Sequence, residues 1–497
     1  MATIGIELCD AGIQTAAVDD ANSPAPLEVP DGAGHTEWPG FCHAEGAKLV
    51  FGRGGEDNWL VHPRRVLHTF WARLAHEPST LSNGTKLLSF SELSYFFLRE
   101  YAARLKAAKS VDKIAIAVPS AYLKDAATED EKVGLLLGMA GELKLPVAGL
   151  VDMACAALCD PRAHGFNPAL PVVVIDLQLE GADITLCGTD GKLERKDFIH
   201  LPNSGYAHLL KLITGTMGNR FLRHTAFDIL EDGRIEQTFF RQTKEFLLSD
   251  APEWRYHINT ATRGYEMTAK REQLAGDTHA FAQTLVQGLQ TFLQQSPHHS
   301  EPCTIALTDR TGHLPGIETK LRTAGFSRLL RLPRGAAACG AARIAANRLA
   351  VPSDLADVPL EKSVPLTDTH RGATSLWEAR LHKHRHTQSR LIPTHAIMEG
   401  VGHVLGTKPR FLIGLGELGA DLVLPESFGA ATDCTVPLLH EGGRLWFLDQ
   451  GRAHGAAGIS RTTIDAGDHL TIRCGQATAN ILFAHCPDFH SQHGSVD

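Results

Sequence analysis

The chain has 497 residues, 43% of them hydrophobic and 21% charged, with a formal net charge of −8. That length exceeds what one hydrophobic core serves and predicts two to four domains of ordinary soluble composition. The acidic balance argues against a general nucleic-acid binder, and with no run of eighteen apolar residues no membrane insertion is expected.

The opening "MATIGIELCD" is acidic and enters a strand-like pattern at once, so no signal peptide is expected. "KIAIAVPSAY" reads as a buried strand closed by Pro119. "EDEKVGLLLGMAGELKL" has helical spacing, with acids at its start as the helix dipole prefers. "LPVVVIDLQL" is a further core strand, and "ADITLCGTDGKLERKDFIHL" a hairpin turning at Asp190-Gly191. "CTIAL" followed by "PGIETKLRTAG" repeats the strand-then-helix theme, and "GAAACGAARIAANRLA" is a small-residue helix. Alternation of this kind over residues 1–345 predicts an α/β architecture.

From 346 to 392 the prolines and mixed charge of "VPSDLADVPLEKSVPLTDTHRGATS" predict a linker, with a short helix in "LWEARLHKHRHTQSR". His382, His384 and His386 share one side only if that segment is extended, and the adjacent Lys383 and Arg385 disfavour a metal ion; a solvated segment is expected. Between 393 and 487 short strands replace helices: "HAIMEG", "RFLIGL", "DLVLP", "CTVPLLHE", "RLWFLD", "HLTIRC" and "ANILFAH". Gly, Pro and Asp between them predict a compact β-sandwich, with 488–497 as a tail. The ten cysteines form no CxxC pair. Cys155 and Cys159, in "DMACAALCD", read as small buried residues, and a reducing bacterial or cytosolic cytoplasm is expected.

Four segments, in order, resemble the ATPase domain of DnaK-type (70-kDa heat-shock) chaperones, within the actin-like superfamily. They are "IGIELCDAG", "KIAIAVPSAYLKDAATEDEKVGLLLGMAGELKLPVAGLVDMACAAL", "VVVIDLQLEGADITL", and "IALTDRTGHLPGI" followed by "GAAACGAARIA". The resemblance spans some 340 residues. It implies two ribonuclease-H-like α/β lobes around a deep cleft, in which the family binds ATP and magnesium.

Carried over position by position, the resemblance makes Asp10, Gly12, Asp152, Asp176, Asp183, Lys244, Arg310 and Gly340 the cleft candidates. The first phosphate turn reads Glu7-Leu8-Cys9-Asp10-Ala11-Gly12, with Glu7 where the family has aspartate. In the second, Asp176 and Asp183 match the paired aspartates, but the glycines between them are Gln178, Leu179 and Glu180. Glycine lets backbone amides close on a phosphate without a Cβ clash. Leu179 adds bulk and Glu180 is expected to turn a like charge toward a polyanion, a repulsion of about 1 kcal/mol in water and roughly four times that near a protein surface. The Gly-Gly pair of the adenine-side turn is matched by Asp309 and Arg310, the phosphoryl-transfer lysine by Ala72, and the cleft glutamate by Asp152. Lys244 matches an adenosine-side position, and Arg310 could hold a smaller anion. The carboxylates suit magnesium-bound water, but hydrolysis without a phosphate cradle loses its positioning.

The span from "KPRFLIGLGELGADLVLPE" to "AGDHLTI" resembles a forkhead-associated (FHA) domain, a sandwich whose loops read phosphothreonine. The family's arginine after the "IG", the serine and histidine of its next loop, and the asparagine before a later glycine are matched here by Leu415, Ala430, Asp433 and His454, with Arg452 nearby. Phosphate recognition needs paired donors and positive charge, which this set lacks except at His454 and Arg452, so a phosphopeptide is not an expected partner. Asp421, Trp446, Asp449 and Asp468 fit the sandwich frame.

The expectation is a chaperone-related, non-hydrolysing protein that binds other proteins, with no cofactor. The alternative is a divergent ATP-binding chaperone with slow turnover, holding ATP and Mg²⁺. A sugar- or acid-kinase-like enzyme would need an intact phosphate loop.

Overall fold

The computed structural model describes residues 2–18, 24–29, 35–82, 84–163, 170–189, 192–249, 251–297, 303–365, 377–383, 391–406, 410–414, 420–425, 435–449, 460–474 and 477–486. They form a mixed α/β protein with several sheets, in two compact units.

The first unit holds two large sheets. In the first sheet, β1 (Ala2–Cys9) forms an antiparallel hairpin with β2 (Gly12–Val18), which also pairs β3 (Pro24–Pro26) and β4 (Glu37–Pro39). Helix α1 (Phe90–Ala108) then leads to β5 (Val111–Val118), and α2 (Ala126–Glu142) to β6 (Val147–Asp152); both strands lie parallel on the other side of β1. Ile4, Ile6 and Leu8 alternate into one core, while the intervening residues face helix and cleft. The helices start where the sequence places caps: Ser89 and Glu92 form a capping box for α1, and Asp125 accepts from Thr128 N–H for α2. After β6 comes the short helix α3 (Met153–Leu158).

The second sheet repeats this plan. Strand β7 (Val172–Leu177) pairs antiparallel with β8 (Gly181–Gly188), which pairs β9 (Lys192–Pro202). Helices α4 (Tyr206–Thr225) and α5 (Gly233–Leu248), the hairpin β10 (Glu253–Asn259) and β11 (Gly264–Lys270), and α6 (His279–Gln295) intervene. Then β12 (Thr304–Leu307) and, after α7 (Asp309–Gly312) and α8 (Ile317–Thr323), β13 (Leu329–Arg331) add parallel beside β7. In both sheets a first strand carries a hairpin on one side and parallel crossover strands on the other. The duplication is one of topology, which is why no sequence repeat announces it. Helix α9 (Ala336–Arg348) packs back on β1 so closely that a Cβ at Gly5 would overlap the Ala338 carbonyl oxygen.

The expected linker is partly structured. Strand β14 (Leu360–Glu361) extends the first sheet beside β6, and β15 (Ser363–Pro365) extends the second beside β9, with only Lys362 between them. The short helix expected in "LWEARLHKHRHTQSR" is instead strand β16 (Trp377–His382), paired with a strand of the second unit. Ala379 and Leu381 both turn to that unit's core, so the period is two, not 3.6.

The second unit, chiefly residues 370–497, has two five-stranded sheets. One contains β16, β17 (His395–Met398), β18 (Val401–Val404) and two later strands, His469–Cys474 and Ala477–Ala484. The other contains β19 (Arg410–Gly414), β20 (Leu422–Val423), β21 (Thr435–Glu441), β22 (Arg444–Asp449) and β23 (Ser460–Ile464). Ala396, Phe411, Val436, Phe447, Leu470 and Phe483 belong to one core shared by both. Strands β18 and β23 carry no sequence pattern that singled them out. Among the described residues no helix is long and apolar enough to cross a membrane.

Candidate functional site

In the first unit the hairpin turns of the two sheets meet. The β1–β2 turn is only Asp10-Ala11, since Cys9 is already paired with Gly12. Gly12 takes φ 138°, and a Cβ there would overlap the Trp38 carbonyl oxygen, so the glycine serves strand packing. The second turn is Gln178-Leu179-Glu180. Its carbonyls are fixed from behind, Gln178 O by Tyr206 N–H (2.7 Å) and Leu179 O by Ala207 N–H (2.9 Å).

Asp10 closes the gap between the turns. Its Oδ1 accepts from Leu179 N–H (2.6 Å) and its Oδ2 from Glu180 N–H (2.9 Å). Two successive backbone amides converging on one anion is how a phosphate turn works, and here the anion is a side chain of the same protein. Burial raises the Asp10 pKa above its ordinary value, and the two amide bonds oppose that rise. Leu179 is buried in the protein and not in the cleft. The Glu180 carboxylate does not face the cleft as the sequence suggested. It turns to His68, with Oε1 3.0 Å from Nδ1, and that contact lowers its pKa.

Gln178 spans the paired aspartates. Its Nε2 donates to Asp176 Oδ2 (3.0 Å) and Asp183 Oδ2 (3.3 Å). The other oxygens are also engaged: Thr308 Oγ1 donates to Asp176 Oδ1 (2.8 Å), and His200 Nδ1 lies 2.7 Å from Asp183 Oδ1. Burial pushes Asp183 up to about 6 against the pull of His200, and Asp183 in turn raises His200.

Arg310 enters from α7, at the first position after Asp309, and is 4% exposed. Its Nη2 lies 3.4 Å from Glu7 Oε1 and donates to Cys9 Sγ at 3.1 Å, which ties the second sheet's side of the cleft to β1. Burial raises Glu7 to about 7, with Arg310 opposing. Asp309 contacts Arg334 (2.9 Å) and His313 (3.2 Å); despite the opposing effect of burial, the His313 hydrogen bond and the Arg334 guanidinium hold it at about 2. The cavity beside these groups measures about 30 Å³ and is lined by the carboxylates Glu7, Asp176, Asp183 and Asp309, with Arg310 the one Lys or Arg among its lining. That volume holds a water or two, whereas small-molecule sites measure roughly 300–1,000 Å³.

The remaining candidates lie elsewhere. Asp152 caps α3 through Ala154 and Cys155 N–H, accepts from Ser120 Oγ (3.0 Å), and sits 3.5 Å from Arg195 Nε of β9. Lys244 is ion-paired to Glu56 at 2.5 Å in a separate cavity of about 110 Å³. Gly340 is a packing glycine, since a Cβ there would overlap the Ala156 carbonyl oxygen of α3. Ala72 is exposed, and its carbonyl accepts from Lys132. His68, His200 and Thr308 escaped the sequence reading because nothing in their own segments shows which acceptor each side chain meets, although Thr308 adjoins Asp309 and His200 sits in the strand beside Asp183.

The turn amides already hold a carboxylate, the paired aspartates hold an amide, and the cavity is small and acidic. In the second unit Leu415, Ala430, Asp433, Arg452 and His454 lie outside the described residues, as do His384 and His386. Of the frame residues, Asp421 Oδ2 accepts from Leu412 N–H (2.8 Å), while Asp468 accepts from Asp465 N–H (2.8 Å) and Lys383 Nζ (2.7 Å).

Comparison of the sequence with protein-family models and with curated proteins returns no match.

Proposed function

We propose that the first unit is a DnaK-type, actin-like ATPase domain whose nucleotide site is held shut by the protein's own side chains. In this reading the two sheets are its ribonuclease-H-like lobes. It works as a non-hydrolysing scaffold or regulator that binds protein partners, together with an FHA-like sandwich that does not read phosphothreonine. The shared plan of the two sheets and the meeting of their hairpin turns support the fold reading. The observation that carries the functional one is Asp10 on the Leu179 and Glu180 amides, in the place a phosphate would take.

The alternative, a slow ATP-binding chaperone, requires Asp10, Gln178 and Arg310 all to leave their partners. Thermal unfolding with and without ATP–Mg²⁺ separates the two. A ligand at a hundredfold excess over its Kd adds about 2.7 kcal/mol, which raises the Tm measurably. We expect no shift and no phosphate release; a clear shift with release refutes the scaffold reading. Strong selective binding on a phosphothreonine-peptide array would overturn the account of the sandwich.

A further inference from the structure

In the second unit the histidine-rich segment meets the condition its sequence left open, since β16 (Trp377–His382) is extended. It pairs antiparallel with the strand His469–Cys474, and in that register His382 stands directly opposite His469. Ala379, Leu381, Leu470 and Ile472 belong to the core or pack on it. Side chains alternate along a strand, so His382 and His469 share the other face, where both are exposed.

Directly opposed residues of an antiparallel pair have Cβ atoms about 4.5–5.5 Å apart. Two ring nitrogens sharing one ion at about 2.0–2.1 Å each lie roughly 3.0–3.4 Å from one another. Rotation about the two side-chain bonds of each histidine covers that difference, so the pair can close on one ion with the backbone already fixed by the ladder. Lys383, whose charge argued against a metal from sequence alone, is engaged elsewhere. Its Nζ donates to Asp468 Oδ2 (2.7 Å) and Asp465 Oδ2 (3.0 Å), and the buried Asp468 carboxylate also accepts from Asp465 N–H (2.8 Å). The next row of the face pairs Arg380 with Thr471, and Leu482 stands on the other side of His469. Even a positive charge kept at that one-row spacing of about 7 Å weakens binding of a doubly charged ion by less than about tenfold in water.

We propose that His382 and His469 form a surface site for a divalent transition-metal ion, Cu²⁺ in preference to Zn²⁺, that clasps β16 to the neighbouring strand. Imidazole nitrogens suit copper, zinc and nickel, whereas Mg²⁺ takes oxygen ligands. Among the described residues no third His, Cys, Asp or Glu joins the pair in a cluster, so water completes the coordination and the ion is exchangeable. Two nitrogens with water oxygens make the tetragonal set that Cu²⁺ takes, and Cu²⁺ binds a given ligand set more tightly than Zn²⁺. Neither imidazole has a hydrogen bond or ion pair to another described residue, so no partner is displaced. The proposal is independent of the reading of the cleft.

The test is calorimetric titration of the full chain with Cu²⁺ in glycine buffer, which competes for the weak sites that scattered histidines offer. We expect one site per chain tighter than the rest and unaffected by excess Mg²⁺. Changing a residue that merely supports a metal ligand costs roughly 10–100-fold in affinity, so H382Q and H469Q should each weaken this site by at least about tenfold. The H224Q/H257Q protein, which lacks two exposed histidines of the first unit, should bind as the parent does. Without metal the variants should keep the parent's urea midpoint, because both rings are exposed. Saturating Cu²⁺ should raise the second unit's midpoint only where both histidines are present. No site tighter than those the H382Q/H469Q protein retains, equal competition by Mg²⁺, or loss of the tight site in H384Q/H386Q with H382Q unaffected each overturns the proposal.

Discussion

Replacing Asp10 with alanine is the most direct perturbation of the cleft. It leaves the Leu179 and Glu180 amides without the two carboxylate oxygens that accept from them, at a position where Asp10 and Leu179 are buried. A buried donor without a partner forfeits about 1–3 kcal/mol, so two set a ceiling of about 6 kcal/mol. Part returns because the carboxylate no longer has to be buried, a penalty visible in its raised pKa. A net loss of about 2–4 kcal/mol is expected on these grounds, read as a lower urea midpoint at unchanged slope for the first unit's transition. Asp10→Asn, with one acceptor oxygen, should fall between the parent and Asp10→Ala. A second readout uses the freed amides directly: inorganic sulfate should stabilise the D10A protein more than the parent. A loss under about 0.5 kcal/mol, of the size seen at unremarkable surface sites, or an identical sulfate response, would refute the idea that Asp10 stands in for a bound anion.

Other outcomes follow from the same geometry. Placing glycine throughout the turn with Gln178→Gly, Leu179→Gly and Glu180→Gly should not confer ATP binding by calorimetry, because Asp10 and Arg310 remain; it should destabilise by about 2–5 kcal/mol through loss of the buried Leu179 side chain. Gly340→Ala should lower the Tm sharply or prevent soluble folding, whereas Gly138→Ala, where a Cβ meets nothing, should be neutral or slightly stabilising. Stability should fall as pH rises from about 4.5 through 7. Glu7 and Asp183 have folded pKa values raised to about 7 and about 6, so the folded state binds more protons than the unfolded one across that range. His200, also raised, loses its stabilising charge in the same direction. For Glu7 the rise from 4.5 to about 7 corresponds to about 3 kcal/mol, and the Glu7→Gln protein should show a flatter profile in pH-dependent denaturation. In the second unit, Asp468→Ala removes the acceptor of Lys383 and of Asp465 N–H and should destabilise that unit by about 2–3 kcal/mol, followed by its own unfolding transition.

Local pattern was enough for the core strands of the first unit, for α2 and α9, and for the all-strand region, but it singled out neither helices α1, α4 and α6 nor the β10–β11 hairpin. Short apolar runs placed β1, β5, β7 and β12. Helical spacing with acids near its start placed α2. A run of small residues placed α9. The change of texture near 393 marked an all-strand region. That no glycine stands at 178–180, between Asp176 and Asp183, was also plain, because it concerns which residue types stand side by side. Tertiary structure decided what those residues do. Asp10 and Leu179 are 169 positions apart, and Arg310 and Glu7 303. Whether a carboxylate meets amides, a cation or water depends on how the two sheets meet, and no periodicity of a single segment encodes that. The same holds for Trp377–His382, whose mixed composition allowed a helix until pairing with His469–Cys474 and burial of alternate residues made it a strand. Sequence thus determined the strands and the glycine-free turn between Asp176 and Asp183. Packing of one sheet's turn against the other's decided that the Asp10 carboxylate meets that turn's amides.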